Sequence, residues 1–542
     1  MLNAFLNAIT RRSTVTENGA VSHASTGSAR LDYFTKADTY RDRKLSDVFA
    51  DLSAAWAESP TDTLRIVFYH RIITRQLQGL LATERVQTGG GNRSEFRRAL
   101  IWLARFRESA LRQNLWLVPL VGTWKDLWHV EVIGELPRDA VYDLIEQGLH
   151  SAYDRAPLAK YLPKVRSRSN THNDRHRALN AFARGLMARL GWTPRQYRAF
   201  KSTGRAHRFQ TQMMRGEWGE LAFAKLPGRA LHQLVNHRGR DGKTTLERHG
   251  MEARYVEWVM DQAIAKFTGY PHELVRVVNE RATLAQRLTV DRQFDGLIEL
   301  ARREREVREN VWCALDTSGS MAWGVAGDAT AYDVCIGLGV YFSTLNRGAF
   351  RDYVVMFDRK SRVKQLRGSF SEKIEQIRKE ATAWGNTDFQ SVIDELVRVR
   401  LTSPEVPVED FPTTLVVVSD MQFDPAGGNV ATNYEVAMGK LAAVGLPRVR
   451  IVWWWVTGRG TDFPSALDEE GVIMIGGFDG AVLSLLLGED VPAAAEASVP
   501  TDVAEAGAVL AQAPMAPAKA TPMDAMYRAL DQEVLRLVSY DG

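Results

Sequence analysis

The stretch Val311-Trp312-Cys313-Ala314-Leu315-Asp316-Thr317-Ser318-Gly319-Ser320-Met321 (VWCALDTSGSM, 311–321) decides the fold. Its first five residues are an unbroken apolar run, the mark of a strand buried on both faces. A carboxylate and two hydroxyls follow at alternate positions. Downstream, apolar runs and helical patterns alternate. TAYDVCIGLGVYFSTL (330–345) reads as a helix, YVVMF (353–357) and 361–366 as strands, and 371–382 and 389–399 as helices. TTLVVVS (413–419), RIVWWWV (450–456) and GVIMI (471–475) read as strands, with helices at 433–443 and 481–487. Such alternation predicts a doubly wound parallel sheet covered on both faces. The α/β domain is expected over 308–488.

Upstream the pattern is helical. Val256, Val259, Met260, Ala263, Ile264 and Phe267 make one apolar stripe that predicts a helix from Glu252 to Phe267. RRALIWLARFRES (97–109) predicts another, followed by an apolar run to Val121. The expected class is thus α + α/β, with a HEAT-like all-helical array over 31–307 preceding the sheet domain. Residues 1–30 are rich in Ser, Thr and Gly and are expected to be a flexible N-terminus. Residues 489–522 are Ala/Pro-rich and read as a linker. The last segment, 523–542, carries Met526, Leu530, Val534 and Leu537 at helical spacing and is expected to dock as a short helix.

The 542 residues are 45% hydrophobic and 25% charged, an ordinary soluble composition, with a net charge of only +4. Cys313 and Cys335 are the only cysteines, which suits buried thiols in a reducing compartment. The opening MLNAFLNAITRRSTV is apolar too briefly to span a bilayer, and its arginines follow the apolar part, the reverse of a secretory signal. A cytoplasmic protein with no membrane partner is expected.

Three loops offer oxygen ligands where parallel strands end. Asp316, Ser318 and Ser320 follow the first strand, Thr387 lies in the loop Trp384-Gly385-Asn386-Thr387-Asp388, and Asp420 follows TTLVVVS. All are hard donors, which suits Mg²⁺ or Mn²⁺ rather than Zn²⁺. DTSGS (316–320), NTD (386–388) and SD (419–420) resemble the metal-ion-dependent adhesion site (MIDAS) of von Willebrand factor A domains. The resemblance implies that Asp316, Ser318, Ser320, Thr387 and Asp420 hold the ion, directly or through water.

A helical region followed by such a domain resembles the arrangement of Ro/TROVE ribonucleoproteins, whose helical ring binds small and misfolded RNAs. LAKYLPKVRSR (158–168), WTPRQYRAF (192–200), MMRGEWGELAFAKLPGRA (213–230) and YPHELV (270–275) are also similar to a TROVE-related family found in viruses and plants. Charge distribution agrees with an RNA role. Residues 151–215 hold 15 Lys+Arg against 2 Asp+Glu, while the rest of the chain holds 54 against 63. Concentrated cations neutralise phosphates and release counterions. Candidate contacts are Lys164, Arg166, Arg168, Arg175, Arg177, Arg195, Arg198, Lys201, Arg205, His207 and Arg208, interleaved with Tyr197, Phe200 and Phe209 as stacking platforms.

These features favour an RNA-binding protein whose partner is a small non-coding or misfolded RNA. The alternative is a metal-dependent protein-protein interaction scaffold, in which a protein ligand offers an acidic group to the ion. No phosphate loop of the GxxxxGK[ST] kind occurs and no positioned base accompanies the carboxylates, so no enzymatic activity is expected.

Overall fold

A computed structural model describes residues 13–39, 43–73, 75–76, 86–166, 173–204, 208–304, 311–326, 329–346, 350–380, 385–426, 431–457, 462–478, 480, 482 and 520–541. The expected linker up to residue 519, Arg168, Arg205, His207, Trp384 and all but Val482 of the helix expected at 481–487 lie outside the described residues; of Arg208 only the backbone is described. The chain divides into two compact units. The sheet unit comprises 1–39, 227–248 and 252–528, and the helical unit comprises 40–226, 249–251 and 529–542.

In the sheet unit, β1 (Ser13–Val15) and β2 (Val21–His23) form an antiparallel hairpin. A six-stranded sheet follows: β3 (Val311–Asp316), β4 (Tyr353–Phe357), β5 (Ser361–Gln365), β6 (Thr414–Ser419), β7 (Arg450–Trp455) and β8 (Val472–Gly476). Their spatial order is β8-β7-β6-β3-β4-β5. Every pairing is parallel except β4 with β5. The antiparallel edge departs from the all-parallel expectation. A five-residue strand in sequence with β4 after a short Asp358–Lys360 turn can only return alongside it. β5 reads SRVKQ and is half exposed, polar enough to resist pairing with another chain. β3, β6, β7 and β8 are buried throughout, as their apolar runs require.

Order reverses between β3 and β6, because the chain grows from β3 outward through β4 and then crosses to β6. That gap is the topological switch point, where loops from both directions diverge and leave a crevice at the carboxyl ends of the strands.

Residues 13–30 are not a flexible tail. Thr16 Oγ1 donates to Phe423 O at 2.7 Å, Glu17 N to Gln422 Oε1 at 2.6 Å, and Asn18 Nδ2 to Gln422 O at 2.6 Å. His23 N donates to Phe463 O at 2.8 Å, and Phe463 N returns a bond at 2.7 Å. Small polar residues here satisfy backbone groups of a folded partner instead of water.

Helical segments between 228 and 304 also belong to the sheet unit rather than to the helices before them. Phe294 of the helix Leu284–Glu304 stacks on Phe370 with ring centroids 4.3 Å apart, and Asp291 accepts from Ser371 N at 2.8 Å. The helix expected to reach Phe267 stops at Met260. Met260 and Ile264 are exposed, while Ala265 and Phe267 are buried. The chain leaves the helix because Ala265 N bonds Arg292 O at 2.8 Å, running alongside the long helix. Gly296 permits that approach, since a Cβ there would lie 2.4 Å from Ala265 O.

The helical unit packs Leu45–Glu58, Pro60–Arg71 and Arg93–Phe106 around aromatic pairs such as Trp56–Trp102 and Phe68–Phe96. Ser59 and Asn92 cap the second and third helices by accepting from Asp62 N and Glu95 N. Beneath them Asp126 accepts from Arg71 Nη2 at 2.7 Å and Arg97 Nη2 at 3.0 Å. A two-residue ladder pairs Arg75–Gln76 with Val86–Gln87, too short to leave an apolar run in the sequence. The terminal segment forms two helices, Pro522–Leu530 and Glu533–Arg536, rather than one. The break frees the Gln532 amide to accept from Thr88 N at 2.7 Å and donate to Thr88 O at 2.8 Å.

Candidate functional site

Two sites were expected, and each lies within one unit. The first is at the switch point. Asp316 ends β3 and is fully buried. Its Oδ1 accepts from Ser318 N at 2.9 Å and its Oδ2 from Ser419 Oγ at 2.5 Å. Ser318 and Ser320 lie with their hydroxyl oxygens 3.1 Å apart, because a short 3₁₀ turn over Gly319–Ala322 brings alternate residues to one side. Asp420 follows β6, buried, with Oδ1 accepting from Gln422 N at 3.2 Å. Met421 then takes a left-handed φ of 63°, uncommon for a residue with a side chain. Thr387 is buried, and its carbonyl accepts from Asp424 N at 2.9 Å, which ties its loop to the one carrying Asp420.

Electrostatics mark this corner. Burial, reinforced by the Asp420 charge, pushes the Asp316 carboxyl up to about 7, although hydrogen bonds from Ser318 and Ser419 oppose the rise. A divalent cation would supply the opposite charge that such a pair calls for, and the five candidate side chains offer only oxygens. The five residues therefore fit Mg²⁺ or Mn²⁺ in chemistry. Among the described residues no group of three or more His, Cys, Asp or Glu side chains that could hold a metal ion is gathered. Sequence reading takes Ser419 only as the first residue of the SD pair at 419–420 and not as a site residue; its hydroxyl bond to Asp316 brings it into the site.

The second site is in the helical unit. Lys160, Tyr161, Lys164, Tyr197, Arg198 and Lys201 line an open cleft of about 730 Å³. Two helices make it, Arg155–Tyr161 and Pro194–Thr203. The second starts at a capping box in which Thr193 and Gln196 satisfy each other's backbone amides, with Pro194 in the first turn. Lys164 and Arg198 are exposed. Lys201 Nζ donates to Ala159 O at 3.2 Å and to Leu162 O, so it fastens the wall as well as charging it.

The other basic candidates fall outside the cleft lining. Arg166 is exposed, its backbone clamped by Asn180. Arg177 pairs with Asp174, and Arg175 and Arg195 are exposed. Tyr197 and Phe200 are not stacking platforms. Tyr197 is 1% exposed with its hydroxyl donating to Pro163 O at 2.8 Å, and Phe200 is buried beneath the Arg155 guanidinium. They sit on the inward face of an amphipathic helix whose outward face carries the cations. Tyr161 is the half-buried ring at the cleft, with Lys125 and Lys160 over its face at 4.9 and 5.3 Å. Sequence reading passed over Lys160 and Tyr161, although both lie in the quoted LAKYLPK stretch.

No helix among the described residues is long and apolar enough to cross a membrane. Comparison with known proteins adds relatives. Residues 311–530 match a family described as a domain of unknown function (DUF7788), and residues 16–136 match another so described (DUF2828). The chain is 24% identical over 514 residues to Uncharacterized protein L728 of Acanthamoeba polyphaga mimivirus, covering 87% of this chain and 84% of that protein. It is similar to the crystal structure of Deinococcus radiodurans RO (RSR) protein, at 15% identity, 84% coverage of this chain, 97% of that chain and a TM-score of 0.38.

Proposed function

We propose that the protein binds single-stranded or structured small RNA through the basic cleft of its helical unit. The observation that carries this reading is the convergence of Lys160, Lys164, Arg198 and Lys201 on one open cleft beside the Tyr161 ring. Cations beside an aromatic face are what a phosphate backbone with an unstacked base requires. Misfolded and small non-coding RNAs, which offer such unpaired segments, are the class of ligand.

We further propose that Asp316, Ser318, Ser320, Thr387 and Asp420 hold Mg²⁺ or Mn²⁺. The resemblance of their motifs to the adhesion-site pattern and the pairing of buried carboxylates at the switch point support this. The ion would offset the charge of Asp316 and Asp420 and leave a position for an acidic group of a protein partner. That second reading, a metal-dependent docking site, is favoured by the site's place in the crevice at the carboxyl ends of β3 and β6.

The test is anisotropy of a labelled single-stranded RNA against the double variant Lys164→Glu/Arg198→Glu. Both positions are exposed, so the fold tolerates them. Affinity should fall at least tenfold, and the slope of log affinity on log salt should flatten by about 1.4, or ~0.7 per lost phosphate contact. Asp316→Ala should leave RNA affinity within about twofold while abolishing Mn²⁺ binding. An unchanged slope in the double variant would remove the cleft from consideration.

A further inference from the structure

The turn after β6 touches both carboxylates of the switch-point site, and its backbone is unusual. Ser419 Oγ donates to Asp316 Oδ2 at 2.5 Å and accepts from Met421 N at 2.9 Å. Gln422 N donates to Asp420 Oδ1 at 3.2 Å. Between these contacts Met421 holds its left-handed φ of 63° with a buried side chain. A residue with a side chain keeps such a conformation only where its surroundings over-determine it. The Asp316 and Asp420 charges also repel each other, so something must hold the turn that carries them.

Gln422 is where that hold is applied. It is 2% exposed and is not one of the five candidate ligands. Its Oε1 accepts from Glu17 N at 2.6 Å, and its carbonyl accepts from Asn18 Nδ2 at 2.6 Å. Its Nε2 lies 3.5 Å from Asp462 Oδ1. One residue on, Phe423 O accepts from Thr16 Oγ1 at 2.7 Å. Three consecutive residues between β1 and β2 therefore grip two consecutive residues of the turn. The grip is itself braced. Thr16 Oγ1 accepts from Ala20 N at 3.0 Å, and the backbones of His23 and Phe463 exchange bonds of 2.8 and 2.7 Å.

We propose that Gln422 is a positioning residue of the metal site and that the N-terminal hairpin is the clamp that keeps it in place. The inference rests on the reading of Asp316, Ser318, Ser320, Thr387 and Asp420 as ligands of the ion. Neither Gln422 nor the hairpin is among those ligands; both act through the turn. With the hairpin closed on Gln422, the left-handed turn at Met421 is held and both carboxylates stay at the crevice. With the hairpin released, the turn relaxes and repulsion drives the carboxylates apart. Linkage makes the coupling reciprocal. An ion that needs both carboxylates in place stabilises the closed hairpin by the same factor by which the hairpin strengthens its binding.

Electron paramagnetic resonance of free Mn²⁺, titrated into the full chain, reads the ion affinity. Gln422→Met keeps the side-chain length and removes the amide; Asn18→Ala, at an exposed position, removes a donor to Gln422 O. Each should weaken Mn²⁺ binding at least fivefold. Hydrogen exchange of peptides spanning 13–23 in the wild-type chain should slow at least fivefold at saturating Mg²⁺. Peptides of β6 (Thr414–Ser419) should exchange in both variants as in the wild-type chain, which a general loosening of the sheet would not allow. Unchanged Mn²⁺ affinity in both variants, or hairpin exchange indifferent to the ion, would overturn the inference and leave the metal reading standing. Faster exchange in β6 alongside the weakened binding would overturn the positioning role. A wild-type chain that binds no Mn²⁺ would overturn the metal reading and this inference with it.

Discussion

Thr16→Val asks how firmly the N-terminal hairpin holds the loop that carries Asp420. The Thr16 hydroxyl is buried between two partners, donating to Phe423 O at 2.7 Å and accepting from Ala20 N at 3.0 Å. Valine keeps the shape and removes both bonds. Each typical buried bond is worth about 1 kcal/mol net, and an orphaned buried group costs about 1–3 kcal/mol. The Phe423 carbonyl and the Ala20 amide would both be orphaned, with some relief from the added methyl. A local destabilisation of about 2–3 kcal/mol follows. In a chain of two compact units a single global midpoint is a poor readout of a local change. Hydrogen exchange of peptides spanning 418–426 reads the local opening directly. Amide exchange there should accelerate about 30- to 150-fold, since ~1.4 kcal/mol is tenfold. Peptides from the helical unit should not change. Acceleration below threefold, or a uniform rise across the chain, would refute the role given to the hairpin.

Other outcomes follow from the same contacts. Burial raises the Asp126 carboxyl, but the Arg71 and Arg97 guanidiniums outweigh it and hold the group below its ordinary value. A depressed folded value means stability that is present above the unfolded value near 4 and lost as pH falls through the folded one. Asp126→Asn should therefore cost the helical unit about 3–5 kcal/mol at pH 7 in denaturant titration, and the difference should shrink below about pH 4. Added Mg²⁺ should raise the melting point of the sheet unit, by about 2.7 kcal/mol of stability at a hundredfold excess over Kd, reversed by chelator and absent in Asp420→Ala. Burial pushes the Cys313 thiol up to about 12 and the Cys335 thiol well above its usual value. Neither cysteine should react with iodoacetamide in the native protein at pH 8, and both should react after denaturation, as mass spectrometry will show.

What the sequence disclosed depended on where the physics is local. β3, β6, β7 and β8 announce themselves because a strand buried on both faces must be apolar at every position. Asp316 and Asp420 stand out in the sequence because they lie at the ends of those strands, whereas Thr387 lies in a loop between two helices. The hairpin at 13–23 was hidden because its stabilising partners are some 400 residues away, as with Thr16 and Phe423. The helix from Glu252 was overextended because its stripe continues past Met260, whereas the backbone turns to pair Ala265 with Arg292. Tyr197 and Phe200 looked like base platforms because linear interleaving cannot separate two faces of one helix. At 3.6 residues per turn they fall inward together, and Lys164 and Arg198 remain on the cleft.

The most direct measurement is ultraviolet crosslinking of RNA retained by the protein when it is purified without nuclease, with the attached peptides identified by mass spectrometry. Crosslinks should concentrate at Tyr161 and neighbouring residues of 156–166 and at 194–204. Absence of retained RNA, or crosslinks confined to peptides of the sheet unit, would contradict the account.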